Sequence, residues 1–327
     1  MRNNRVEQPG LAALLRAQFG VISRAQASGV GLYPMALHRR VKSEGWKHPF
    51  PGIYVHPDAS GFETEAKALC LWAGKGAVLS HGGAARLLGL AGMEAAPAEV
   101  TVEKGIQRRG ALVHRGVVSV EDRRTLRGIP HTSAARTLID LAAVADDEAL
   151  AIAFEDAWRK RLVQLDWIAR RLAELGPRGR RGAKALARLL RDGRRRAKPM
   201  DSPLEVKFWR FAQRHLRLRM PVPGQQVRDE EGEPMVIDFA YPRERVAIEV
   251  HSFLIHGQKA AHERDALRAC RLAEIGWRIL FVTSGQMRHE ERLARRIRAT
   301  LAFDPCADRN ERIVHDQVTL PAGATPD

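Results

Sequence analysis

Apolar positions change period several times along the chain, and each change marks an element. Leu11, Leu14, Leu15 and Phe19 recur at helical spacing until Gly20 interrupts them, and Ser23 stands where an N-cap is wanted for RAQASGV. Leu37 and Val41 predict a further helix over about 33–43, which turns His38, Arg39 and Lys42 to a different face before Gly45 stops it. WKHPFPGIYV then reads as a wing-like hairpin or extended segment. FETEAKALCLWAG, VLSHGGAARLLGL and HTSAARTLIDLAAV read as helices, with AEVTVEK and ALVHRG as short strands between them. Ser80 and Thr132 or Ser133 fall at N-cap positions. Residues 146–177 are helical in pattern, and Gly and Pro punctuation around RGRRGAKALARLLRDGRRRAKP predicts a short basic helix inside a linker. DSPLEVKFWRFAQRHL opens the last region as a helix, followed by strand candidates VIDFA, VAIEVH and RILFVTS, with AAHERDALRACRLAEIG as a helical crossover.

These periods predict an α/β (α+β) protein: an N-terminal winged helix over 1–57, a mixed α/β domain over 58–145, a helical basic linker over 146–200, an α/β sandwich with a mixed sheet over 201–303, and a tail over 304–327. A winged helix-turn-helix sends its second helix into the DNA major groove while basic residues grip phosphate.

Charge strengthens that expectation. Across 327 residues, 54 Lys and Arg oppose 38 Asp and Glu, a formal net charge of +16 and a pI near 10.6, which favours a polyanionic partner. Ten of those cations lie between Arg178 and Lys198 against the single Asp192. Arg180, Arg181, Arg194, Arg195 and Arg196 therefore join His38, Arg39 and Lys42 as candidate DNA contacts, whose binding salt weakens. No apolar run is long enough to span a membrane, and the N-terminal residues do not read as a signal peptide, so the expected compartment is the cytoplasm. Cys70, Cys270 and Cys306 show neither metal spacing nor a disulfide framework. His81 and His131 lack a cysteine or carboxylate at useful spacing and are expected to be structural. The sequence gives no oligomeric state.

Candidate chemistry concentrates in VIDFAYPRERVAIEVHSFLIHG. Asp238 and Glu249 interrupt two apolar strands, and a short connection between them lets the two carboxylates converge. A buried carboxylate needs a partner. A divalent cation is one, since hard oxygen ligands suit Mg²⁺ (or Mn²⁺), which bridges to phosphate oxygens. An ion pair with Arg243, Arg245 or Arg268 is the other.

Two resemblances follow from the motifs. GVISRAQASGV, GIYV, VLSHGGAARLLGL and GIPHTSAARTLIDLA, over residues 8–145, resemble the AbiEi-type antitoxins, which implies a winged helix joined to a mixed α/β domain, repression of an operon and a cognate toxin as partner. S-P-L-E, I-D-F, I-E-V and R-D-x-x-R-x-x-x-L-x-x-x-G-W followed by RILFVT, over about 202–301, resemble the very-short-patch repair (Vsr-like) endonucleases of the PD-(D/E)XK superfamily, with its restriction-endonuclease-like fold. That likeness implies metal ligation by Asp238 and Glu249, a helix acid at Glu205, a histidine at His256, and a downstream acid and arginine at Asp265 and Arg268. Glu205 also completes a capping box with Ser202. His251 stands where the group has Asp, and the superfamily lysine two residues after Glu249 is absent. His251 can serve as a metal ligand or general base. Together these features predict a divalent-metal-dependent endonuclease acting on double-stranded DNA, the alternative being an antitoxin-like repressor whose nuclease fold has lost its chemistry.

Overall fold

The computed structural model describes residues 9–104, 110–176, 181–216, 219–251 and 259–303, with backbone alone at 9 and 259–265. Among them are 13 α-helices and three sheets, a mixed α/β protein. The chain divides into two compact units, 1–203 and 204–327.

The first unit opens with α1 (Pro9–Ala17), β1 (Val21–Ser23), α2 (Arg24–Gly29), α3 (Pro34–Ser43), β2 (Lys47–Phe50) and β3 (Ile53–Val55). Ser23 caps α2 as expected: its hydroxyl accepts from Gln26 N at 3.2 Å, and the Gln26 side chain accepts from Ser23 N at 3.0 Å. Pro34 occupies the first turn of α3, where its missing N–H costs nothing. The strands form an antiparallel sheet in the order β1-β3-β2. The sequence pattern misses β1, because three residues cannot express an alternation.

Leu11, Leu15, Ile22, Leu37 and Trp46 bury together beneath these helices. Ala68 of α4 (Phe62–Ala73) joins Val21, Ile53 and Val55 in another cluster, so no packing boundary follows residue 57.

Then come β4 (Val78–Leu79), α5 (His81–Leu87), β5 (Glu99–Val102), β6 (Leu112–Arg115), β7 (Arg123–Leu126), β8 (Ile129–Thr132) and α6 (Ala134–Leu141). The sheet runs β6-β5-β4-β8-β7, with β5/β6 and β4/β8 parallel and the remaining pairs antiparallel. The β7–β8 hairpin escapes the sequence reading because all four β7 residues are exposed and carry no apolar alternation. Ser133 caps α6 through Arg136 N at 3.3 Å. Ser80 does not cap α5, since its hydroxyl is engaged by His81 and Thr101.

α7 (Asp147–Arg159), α8 (Leu165–Glu174) and α9 (Ala183–Arg196) complete the unit. The basic helix expected inside a linker is instead integral: Ala183, Leu186 and Leu190 of α9 lie in one apolar cluster with Leu138 of α6, Phe154 of α7 and Ile168 of α8. Its apolar residues recur at helical spacing, so one face is buried while the charges populate the others. Gly182, at φ +77°, precedes α9, and a Cβ there would sit 1.7 Å from Ala142 O. Only glycine fits. A buried ion network ties the elements together: Arg171 donates to Asp122 at 2.6 Å and Arg136 to Asp140 at 2.8 Å.

The second unit contains α10 (Pro203–His215), β9 (Val222–Arg228), β10 (Pro234–Tyr241), β11 (Val246–His251), α11 (Lys259–Glu274), β12 (Arg278–Thr283), α12 (Ser284–Met287) and α13 (Glu290–Ala302). The sheet order is β12-β11-β10-β9, with β11 and β12 parallel and the other pairs antiparallel. The hairpin, crossover helix and returning strand match the expected order; β9, largely polar and at the edge, is additional. Phe208 of α10 packs on Phe239 of β10 with ring centroids 4.7 Å apart. Leu272 of α11 joins Ala240 and Ala247 of the sheet.

Candidate functional site

In the second unit, the β10–β11 pairing runs from Tyr241↔Val246 to Phe239↔Ile248, and Asp238 and Glu249 are the next residue on either strand. The charge of Asp238 acts on Glu249, so the two carboxylates are near neighbours on adjacent strands. Asp238 Oδ2 accepts from Val250 N at 2.9 Å. Glu249 is only 4% exposed. Burial, followed by the charge of Asp238, pushes its carboxyl up to about 7 against the opposing pull of Arg268.

Arg268, reaching from α11, donates Nε to Glu249 Oε2 at 3.3 Å and Nη2 to Oε1 at 3.2 Å. It also donates to Val236 O. Of the partners expected for Glu249, the arginine is in place and offsets part of the charge, with Asp238 as a second carboxylate nearby.

The remaining expected residues do not gather equally. His251 ends β11 and meets Phe281 edge-on, with ring centroids 5.0 Å apart. Glu205 lies half-buried in the first turn of α10. No three of Glu205, Asp238, Glu249 and His251 bring ligand atoms within 4.8 Å of one another. His256 lies outside the described residues; Asp265 lies in α11, its side chain outside the described set.

In the first unit, His38, Arg39 and Lys42 are exposed on α3. Met35, 85% exposed, precedes them on the same stripe at i, i+3, i+4 and i+7. Arg39 lies 3.9 Å from Glu44, a loose surface pair. On and before α9 the cations divide. Arg181 and Arg195 are exposed, and Arg194 pairs with Asp166 at 2.7 Å on the surface. Arg196 corrects the expectation of phosphate contact: its side chain is 5% exposed and bound to the equally buried Glu155. Arg180 lies outside the described residues.

No carboxylate stands at useful spacing from His81 along the sequence. The structure supplies one: His81, Glu99 and His114 form the one group of three metal-competent side chains among the described residues. Linear spacing hides it, because parallel pairing of β5 with β6, not proximity in the chain, brings Glu99 and His114 together. His131 is buried, its Nδ1 2.8 Å from Thr132 O.

No family model matches the chain. It is 30% identical over 266 residues to uncharacterized protein MT2308 of Mycobacterium tuberculosis strain CDC 1551 / Oshkosh, covering 79% of this chain and 93% of that protein. Uncharacterized protein Rv2248 of strain ATCC 25618 / H37Rv matches with the same identity and coverage. Agreement over nearly the whole length of those proteins joins both units of this fold to one lineage, and the chain belongs to the family of these two mycobacterial proteins.

Proposed function

We propose that this protein binds double-stranded DNA through its first unit and hydrolyses phosphodiester bonds with Mg²⁺ or Mn²⁺ in its second, as a very-short-patch-repair-like member of the PD-(D/E)XK nucleases. The observation that carries this reading is the neighbouring carboxylates Asp238 and Glu249 on adjacent strands. Two adjacent carboxylates, one of them buried, oppose each other's ionisation. Glu249, held at about 7 by burial and Asp238, is a site whose ionisation a cation would restore.

The donor set fits a hard divalent ion: two carboxylates, with room in the coordination shell for water and phosphate oxygens. Asp238 and Glu249 would hold the ion, and the ion would supply Lewis-acid polarisation of a phosphate oxygen. Arg268 orients the Glu249 carboxylate, and His251 is the described imidazole positioned on the same strand to handle a proton. The exposed stripe Met35, His38, Arg39 and Lys42 on α3, the strands that follow it and the net charge of +16 support a winged helix-turn-helix lying on duplex DNA.

Nicking of supercoiled plasmid in Mg²⁺ or Mn²⁺ tests this function. The parent should nick, while Asp238→Asn and Glu249→Gln should lose nicking and keep duplex affinity. Undiminished nicking in either variant excludes the site.

One observation favours a second reading. The Arg268 guanidinium already meets both oxygens of Glu249, the compensation expected of a nuclease fold retained after its chemistry is lost. The protein would then be an AbiEi-type repressor or antitoxin, with a toxin as partner. A parent inert with either metal yet binding duplex DNA at its own promoter would establish it. Either activity suits the cytoplasm; no helix among the described residues is long and apolar enough to cross a membrane.

A further inference from the structure

The five-stranded sheet carries a cluster that neither reading uses. His81 opens α5, Glu99 opens β5 and His114 lies in β6, and one ligand atom from each lies within 4.8 Å of the other two. His114 Nε2 is 2.7 Å from Glu99 Oε2. The rings of His81 and His114 stack with centroids 3.5 Å apart. His81 and Glu99 are buried, whereas the His114 side chain is 30% exposed, so the cluster opens to solvent on one side.

Surrounding residues hold these groups in place. A Cβ at Gly82 would stand 2.8 Å from Glu99 Oε1, so the glycine admits the carboxylate beside the start of α5. Ser80 Oγ lies 2.9 Å from His81 Nδ1 and accepts from Thr101 Oγ1 at 2.8 Å. A partner at Nδ1 orients the imidazole, the usual arrangement of a histidine that ligates through its other nitrogen. Arg136 is the charged neighbour of the cluster. The positive charge of Arg136 is itself answered by Asp140 at 2.8 Å and Asp122 at 3.5 Å.

We propose that His81, Glu99 and His114 form a zinc site that fastens the edge strand β6 to β5 and the start of α5. Two imidazoles and one carboxylate are a borderline nitrogen–oxygen set suited to Zn²⁺ rather than Mg²⁺, with a fourth position left to water on the exposed side. Ligation would separate the stacked rings, with the more exposed His114 giving way. β6 benefits most: it has one neighbour in the sheet and no fully buried residue, so a metal contact replaces packing it lacks.

The test uses untagged full-length protein, stripped by a chelator and titrated with Co²⁺ as a visible stand-in for Zn²⁺. One equivalent should develop d–d absorption that Zn²⁺ abolishes and Mg²⁺ does not. Asp238→Asn/Glu249→Gln should retain it, which separates this site from the proposed nuclease centre. His114→Ala should remove it. His81→Asn tolerates the backbone at φ +51° that another residue would strain, and should keep native circular dichroism while weakening cobalt by more than about 100-fold, beyond the effect of disturbing a group that only orients a ligand. Zn²⁺ at about 100 times its Kd should raise the first unit's Tm by roughly 5–10 °C. Failure of Co²⁺ to saturate, binding that survives His114→Ala, or binding lost in the Asp238→Asn/Glu249→Gln protein overturns the proposal.

Discussion

Glu249 couples the proposed chemistry to stability. Its carboxyl titrates at about 7 in the folded chain, raised first by burial and then by Asp238, against an ordinary value near 4.5. Between those values the unfolded chain releases this proton while the folded chain keeps it, so the native state binds more protons. Stability of the metal-free protein should therefore fall as pH rises from about 4.5 to about 7, by up to about 3 kcal/mol, and stay lower above that. Glu249→Gln should flatten this limb, measured as urea midpoints near pH 5 and near pH 8 in chelator; an unchanged slope assigns the titration elsewhere. His251→Ala should cost most of the nicking rate, and His251→Asp should improve use of Mg²⁺ relative to Mn²⁺, since carboxylate is the harder ligand. Equal rates for parent and His251→Ala make the histidine a bystander. Gly182→Ala forces a Cβ into Ala142 O at φ +77° and should destabilise the first unit by about 3–5 kcal/mol, read by thermal unfolding.

Single helices separate exposed cations from those that hold the fold. On α3, Arg39→Ala with Lys42→Ala should weaken duplex binding and lower the log–log salt slope by about 0.9 per lost phosphate contact. A constant slope turns that face away from DNA. On α9, exposed Arg195 and buried Arg196 make a contrasting pair. Arg195→Ala should leave Tm nearly unchanged and reduce the salt slope. Arg196→Ala strands Glu155 without its buried partner and should cost about 3–5 kcal/mol of stability. Sequence alone does not distinguish these neighbours: both stand in the run RRR, and one residue of helical rotation, about 100°, decides which meets Glu155.

The whole molecule has two compact units, each with its own apolar clusters, so calorimetry should resolve two transitions. Gly182→Ala should lower only the first, and Glu249→Gln should move only the second. A single transition shifted by both would show that the units unfold as one.

Local rules carried much of this fold from the sequence. Helical stripes around Leu11 and Leu37, the Ser23 cap, and the strands around Asp238 and Glu249 follow from periodicity, capping and the cost of a buried carboxylate, all of which act over a few residues. The short or polar strands β1, β7 and β9 expose no such period. Tertiary structure alone decided that α9 is a packed helix rather than a tether, because its apolar face finds partners only once α6, α7 and α8 are in place. It also decided that Arg268 reaches Glu249, and that His81, Glu99 and His114 meet. Those meetings depend on which strands pair and in what register, and pairing is set by the burial of whole faces rather than by any spacing along the chain.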